Sequence, residues 1–376
     1  MGNAARELLS LLGIDIPLLA FSHCRDVVAA VTNAGGFGVL GAVTLTPEEL
    51  ERELNWIEDQ VRGKSYGVDL IVPETSVGKG QRLTSEQFAD MIPAEYRDYV
   101  DALLADHGIE PLARTRPPRV SVTDDASESL MEVAFKHPIK LIANALGRPP
   151  QSMLDAGKSH GVPVAALAGA KEHAIKHVNA GVDIIVAAGT EAGGHCGEVT
   201  TMVLVPEIID AIEPIRPVPV LAAGGIVTGR QMAAAVAMGA AGAWTGSVWL
   251  TTEEAETAPY TKQRMLAATS RDTIRSTCRT GKPTRQLKSD WTAAWESGQG
   301  PEPLPMPLQS IISEPVLRRI DTLAANGDEG ARALATYWVG QGVGLMNSVK
   351  PARQVVYEFA QDYLAAVERL NNSLAD

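Results

Sequence analysis

The residue best suited to exchanging a proton is His195, set in the run Gly189-Thr190-Glu191-Ala192-Gly193-Gly194-His195-Cys196-Gly197. Glycines on both sides leave the ring accessible and permit backbone conformations close to a ligand. An imidazole near its ordinary pKa can take up and return a proton at neutral pH. Glu191 and Glu198 either orient the ring or face solvent. A second pattern lies downstream, where Gly224-Gly225 and Thr245-Gly246-Ser247 each end an apolar run. Glycine turns let backbone N–H groups approach phosphate oxygens, and the hydroxyls of Thr245 and Ser247 can add donors. No Gly-x-x-x-x-Gly-Lys-Ser/Thr is present, so a phosphate held there belongs to a cofactor rather than to a transferred nucleotide group.

Two other motifs carry less. Gly36-Phe37-Gly38-Val39-Leu40-Gly41 matches the dinucleotide fingerprint, but it follows a helical pattern and is itself an apolar strand, the reverse of the required context. The dipeptides His23-Cys24 and His195-Cys196 suggest zinc, yet adjacent residues in extended chain point opposite ways and zinc sites favour wider spacings. No metal is expected. His23 follows the first strand and is read as facing the site.

The elements that must position these residues alternate. Apolar runs at 16–21, 37–40, 66–72, 139–144, 162–167, 182–188, 218–223 and 242–244 read as eight strands, mostly separated by helical spacing. Thr46-Pro47-Glu48-Glu49 starts one helix with an N-cap, a first-turn proline and acids at the positive end of the dipole. Eightfold strand–helix alternation is the pattern of an α/β (β/α)8 TIM barrel, whose ligand-binding loops gather at the C-terminal ends of the strands. Residues 74–125 interrupt it as a polar, proline-bearing insertion after strand three, with helical fragments at 85–91 and 94–106. Beyond Leu250 the strands are expected to stop. Helices are expected at 252–269, 314–326 and 354–370, giving residues 251–376 as a helical extension packed on the barrel of residues 1–250.

Bulk composition bounds the partners. The 376 residues are 45% hydrophobic and 21% charged with a net charge of −12, which argues against nonspecific binding to nucleic acid or anionic membrane. Three scattered cysteines give no disulfide framework, and no apolar run reaches the roughly 20 residues that span a bilayer. The expected setting is the cytoplasm and the expected partner a small-molecule substrate, with homo-oligomerisation left open.

Glu191-Ala192-Gly193-Gly194-His195, Ala222-Ala223-Gly224-Gly225-Ile226 and Thr245-Gly246-Ser247 resemble the nitronate monooxygenases. Asn33-Ala34-Gly35-Gly36-Phe37-Gly38 and Trp338-Val339-Gly340-Gln341-Gly342-Val343-Gly344 extend the likeness over most of the chain outside 74–125. The central motif is shared with FMN-dependent enoyl-acyl-carrier-protein reductases and NAD(P)H:quinone reductases. The resemblance implies an FMN-dependent barrel with His195 as the catalytic histidine. It also implies cofactor contacts from Phe21, Ser22, His23, Asp69, Gly193, Gly194, Ala223, Gly224, Gly225, Thr245, Gly246 and Ser247. Ala20 and Ala188 stand where the family usually has glutamines, and Asp69 where an asparagine usually bonds the flavin. A carboxylate at 69 would repel an anionic substrate or reduced flavin unless protonated or paired, so Asp69→Asn is expected to raise affinity for anions.

Three functions follow as expectations. The first is oxidation of alkyl nitronates with O2. The alternative is an NAD(P)H-dependent flavin reductase for an enoyl thioester or quinone, and the third a flavin-free barrel that binds a phosphate ligand.

Overall fold

Eight short apolar runs pair edge to edge into a closed parallel barrel. The computed structural model describes residues 3–81, 83–112 and 124–373. In chain order the strands are β1 (Leu18–Ser22), β2 (Phe37–Gly41), β3 (Gly67–Leu70), β4 (Leu141–Asn144), β5 (Val164–Ala168), β6 (Ile184–Ala188), β7 (Gly194–His195), β8 (Val220–Ala223), β9 (Gly242–Thr245), β10 (Thr273–Ser276) and β11 (Thr284–Leu287). The barrel uses β1–β6, β8 and β9, and it closes where β1 meets β9 with Leu18 opposite Ala243 and Ala20 opposite Thr245. All eight expected strands are therefore present.

Side-chain alternation along these strands divides two cores. Leu19, Phe37, Val39, Leu141, Ile184, Val186 and Leu221 fill the barrel interior. Leu18, Ala166, Ile185, Ala187 and Ala222 face outward onto helices that include Arg25–Asn33 and Thr201–Ile212. Ala20 belongs to this outer layer, so the glutamine position it occupies in the resemblance does not face the barrel interior. The expected N-cap at Thr46 forms and is completed as a capping box, with the Thr46 Oγ1 accepting from Glu49 N–H at 3.1 Å and Glu49 Oε2 accepting from Thr46 N–H at 2.8 Å.

The region beyond Leu250 differs from expectation. It is not wholly helical: it contributes β10 and β11, which join β7 from the glycine loop in an antiparallel three-stranded sheet in the order β10-β11-β7. Thr273-Ile274-Arg275-Ser276 and Thr284-Arg285-Gln286-Leu287 carry too few apolar residues to announce strands, and Thr284 and Gln286 are fully buried polar residues. Helices do occupy Pro259–Ala267, Leu308–Ala325 and Ala352–Asn372.

The insertion is less polar in place than its composition suggests. Its helices Ser85–Asp90 and Ala94–Asp106 turn Phe88, Val100 and Leu104 onto Trp291, Leu317 and Ile320 of the extension, in one shared core. Tyr96 and Tyr99 donate to the carbonyls of Glu302 and Ala294, both at 2.8 Å. Residues 113–123 of the insertion lie outside the described residues. No described helix is long and apolar enough to cross a membrane.

Candidate active site

His195 lies on β7, and its neighbours come from 85 residues downstream. β11 pairs with β7, setting Thr284 opposite His195 and Arg285 opposite Gly194. Gly194 needs a left-handed φ of +74° to enter that pairing, and a Cβ on Gly193 would lie 2.7 Å from the Gly340 nitrogen. Glycine is thus required twice for backbone reasons.

The His195 Nε2 is 3.0 Å from Thr280 Oγ1. Thr280 Oγ1 in turn donates to the Lys282 carbonyl at 3.1 Å. With its one hydroxyl proton used there, Thr280 accepts from His195 Nε2–H, an assignment made from the network. Nδ1 is then the free lone pair, and it has no partner among the described residues. The ring is not near its ordinary pKa. Burial, with the Lys282 ammonium adding to it, lowers the value to about 4, so the imidazole is neutral at neutral pH.

His195 opens on a cavity of about 280 Å³ that also carries Leu167, Ala188, His177 and Lys282. Burial lowers the Lys282 pKa, against a pull from Glu74. Its ammonium reaches Thr75 Oγ1 at 3.5 Å and has no ion pair among the described residues. Ala188, where the resemblance has glutamine, faces inward at the barrel mouth and leaves that space open.

Neither neighbouring acid orients the histidine. Glu191 Oε2 accepts from Thr201 N–H and Thr201 Oγ1–H, both at 2.9 Å. It thereby sits at the start of the helix Thr201–Ile212, a favourable place for a negative charge. Glu198 is largely exposed and stands 3.5 Å from Arg275. What fixes the glycine loop is Arg285, whose Nε donates to the Thr190 carbonyl at 2.7 Å and Nη1 to Thr273 Oγ1 at 3.1 Å.

The two glycine turns are neighbours, because Ala223 is in register with Trp244 on the adjacent strand. Gly224 and Gly225 take φ of +107° and +70°. The backbone N–H groups of Gly224, Gly225, Gly246 and Ser247 have no acceptor among the described residues, which is the state of an anion cradle. One expected donor is lost. The Thr245 hydroxyl donates to the Leu19 carbonyl at 2.9 Å and lies 3.0 Å from Trp249 Nε1, because its side chain points away from the barrel interior. Ser247 Oγ accepts from Gly340 N–H at 2.8 Å and keeps its own proton free to donate.

Around the mouth, Phe21 stacks on Trp244 with centroids 6.4 Å apart, and Ala223 and Ala188 add small inward groups. Ser22 Oγ accepts from Cys24 N–H at 3.1 Å. The His23 ring bonds the Gly41 carbonyl at 2.8 Å and meets Phe21 edge-on at 5.1 Å; burial lowers its pKa. Asp69, opposite Gly41 and Ala143 on the inward face, is 3% exposed. Burial pushes its pKa well above the usual carboxylate range. The ionised carboxylate feared from the sequence is thus disfavoured, and with it the expected repulsion of anions. The structure gathers Phe21, His23, Asp69 and Ala223 at the mouth, with both glycine turns at its rim and His195 above.

Sequence reasoning missed Thr280, Lys282, Arg285 and Trp244. The first three lie in a segment read as helical extension, and Trp244 was read only as a strand residue. Among the described residues the one cluster of metal-type ligands is Cys24, Asp26 and Glu256, which includes neither His23 nor His195.

A family model described as nitronate monooxygenase matches residues 19–362. A Mycobacterium tuberculosis chain, Rv1533, assigned by inference as a monooxygenase, is 52% identical over 366 residues, covering 96% of each chain. A Staphylococcus haemolyticus chain, assigned by inference as a nitronate monooxygenase, is 29% identical and covers 91% of this chain and 92% of its own. Among solved structures, a nitroalkane oxidase from Streptomyces ansochromogenes superposes with a TM-score of 0.79 at 24% identity, covering 96% of this chain and 99% of that one. FabK from Thermotoga maritima gives 0.72 at 24% identity, covering 98% of each. At such identities the two structures speak for the (β/α)8 fold. The family model and the Mycobacterium relative both run through the strands and turns that carry His195, Gly224, Gly225 and Ser247, and the chain belongs to the nitronate monooxygenase family.

Proposed function

We propose that the protein is an FMN-dependent oxidoreductase of the nitronate monooxygenase type, which oxidises alkyl nitronates with O2 and uses His195 as its acid–base group. The observation that carries this reading is the cavity where a neutral His195 meets the Lys282 ammonium, with neither a partner on Nδ1 nor an ion pair to Lys282 among the described residues. FMN suits the remaining features. The amides of Gly224, Gly225, Gly246 and Ser247, without an acceptor among the described residues, would hold its phosphate. Phe21, Ser22, His23, Asp69, Gly193, Gly194 and Ala223 would lie about its ring, with Thr245 shaping the turn from behind. Bound there, FMN would supply electron transfer between the substrate and O2.

The chain's own residues do the rest. Lys282 balances the negative charge of the nitronate, and His195 accepts or returns a proton at Nδ1. Thr280 holds the tautomer that keeps Nδ1 bare. The partner is a small molecule rather than nucleic acid or membrane, the setting we assign is the cytoplasm, and a homo-oligomer is compatible with the chain.

The test is spectroscopic. The purified protein should be yellow and release FMN on denaturation, and anaerobic mixing with an alkyl nitronate should bleach it while NADH alone does not. Rapid bleaching by NADH would instead make it a flavin reductase of an enoyl thioester or quinone. A colourless protein without affinity for FMN would return it to a phosphate-ligand binder.

Lys282→Met should raise KM for nitronate by roughly ten- to hundred-fold, the weight of one hydrogen bond to a charged group. kcat should change little, because the contact is made in ground state and transition state alike. Steady-state kinetics at saturating O2 reads both; an unchanged KM would remove Lys282 from substrate binding.

A further inference from the structure

Resting on the FMN reading above, we propose that the Asp69 carboxyl is a hydrogen-bond donor to an acceptor atom on the ring of the bound flavin. The geometry starts from β3. Val68 and Leu70 face outward into the core under the helices, so Asp69 between them points into the barrel. Its register partners are Gly41, which has no side chain, and Ala143, which offers a methyl group. The space over Gly41 holds the rings of Phe21 and His23, since a Cβ there would lie 2.7 Å and 2.8 Å from them. The His23 Nδ1 is already bonded to the Gly41 carbonyl.

Asp69 therefore ends at the mouth, 3% exposed, with no hydrogen bond or ion pair among the described residues. The titratable group that shares the space over Gly41 is His23, whose pKa burial lowers. No charged side chain among the described residues acts on Asp69, and desolvation is the whole cause of its shift. An unpartnered buried carboxyl is costly, and such groups persist where a ligand completes them. In the neutral form it offers an O–H, which an ionised carboxylate cannot; a flavin ring presents carbonyl oxygens and imine nitrogens as acceptors.

The consequence is a pH-dependent affinity. Because burial raises the folded-state pKa, the donor is present below that raised value and is lost as pH rises through it. Titrating apoprotein with FMN by fluorescence quenching, from mildly acidic to alkaline pH, should show the native chain losing affinity by roughly ten- to hundred-fold. Asp69→Asn supplies an N–H donor that does not titrate, so its affinity should stay level over the same range. Parallel profiles for the two proteins would overturn the proposal. Infrared difference spectra at the acidic end of that range give an independent reading that does not depend on the cofactor. A protonated-carboxyl stretch should appear in the native chain and vanish in Asp69→Asn, and no difference band would also overturn it. Absence of FMN binding at every pH, with the carboxyl band present, would instead fault the functional reading beneath.

Discussion

His195→Ala should keep FMN bound and slow turnover by roughly two to four orders of magnitude, the range for a lost acid–base group. Retention follows from the separation of tasks. The amides proposed for the phosphate belong to Gly224, Gly225, Gly246 and Ser247, while His195 enters from β7, which is paired with the extension and not with the barrel. The pH profile adds a sharper mark. With the pKa lowered to about 4, the imidazole is a competent base through the neutral range. Activity should therefore fall only as pH drops toward about 4, rather than near the ordinary histidine value. Thr280→Val removes the acceptor that fixes Nε2–H; it should lower kcat by roughly ten-fold and shift that acid limb, without altering FMN content. Unchanged rates in His195→Ala, measured with the flavin spectrum intact, would end the acid–base role. An acid limb near the ordinary histidine pKa would mean the ring is more hydrated than its surroundings imply.

How much of this could be read beforehand depends on the range of the interactions. The barrel was legible because each strand is a short apolar run that ends at glycine or a turn, and such runs pair with their sequence neighbours. Gly224-Gly225 and Gly246-Ser247 were legible as a pair for the same reason: they end adjacent strands. The partners of His195 were not. Thr280, Lys282 and Arg285 reach it through an antiparallel pairing of β7 with β11, and nothing in Thr284-Arg285-Gln286-Leu287 announces a strand, since three of its four buried members are polar or charged. Side-chain state was equally hidden. Burial lowers the pKa of His195 and raises that of Asp69, and burial is a property of the assembled mouth. Thr245 shows the limit of a motif: its residue type suits a phosphate, but strand parity turns the hydroxyl to Leu19 and Trp249.

Glu314→Ala should destabilise the chain by about 2–4 kcal/mol, just under the cost of breaking a fully buried pair because a quarter of the Glu314 side chain, 25%, stays exposed. Arg279 is the reason. Its side chain is 4% exposed, its Nε and Nη2 bond Glu314 at 2.8 Å and 3.3 Å, and its guanidinium lies 3.7 Å over the Trp338 ring. Removing the carboxylate leaves a buried cation with Nη1 already unpartnered. Replacing both Arg279 and Glu314 by methionine should recover most of the loss, since the charge and its desolvation penalty go together. Asp321 makes the test more specific. Burial, with Glu314 adding to it, pushes its pKa up to about 6 against the pull of Arg279. In the native chain Asp321→Asn should be neutral or slightly stabilising near neutral pH. Once Glu314 is gone, Asp321 is the remaining counter-ion, so Asp321→Asn on that background should deepen the loss, a coupling of about 1 kcal/mol or more. The effect reaches the site because Arg279 adjoins Thr280, which holds His195. Denaturant unfolding of the four proteins in this cycle gives the coupling energy directly. Strict additivity would show that Asp321 does not share the Arg279 charge and that Glu314 is its sole counter-ion among the described residues.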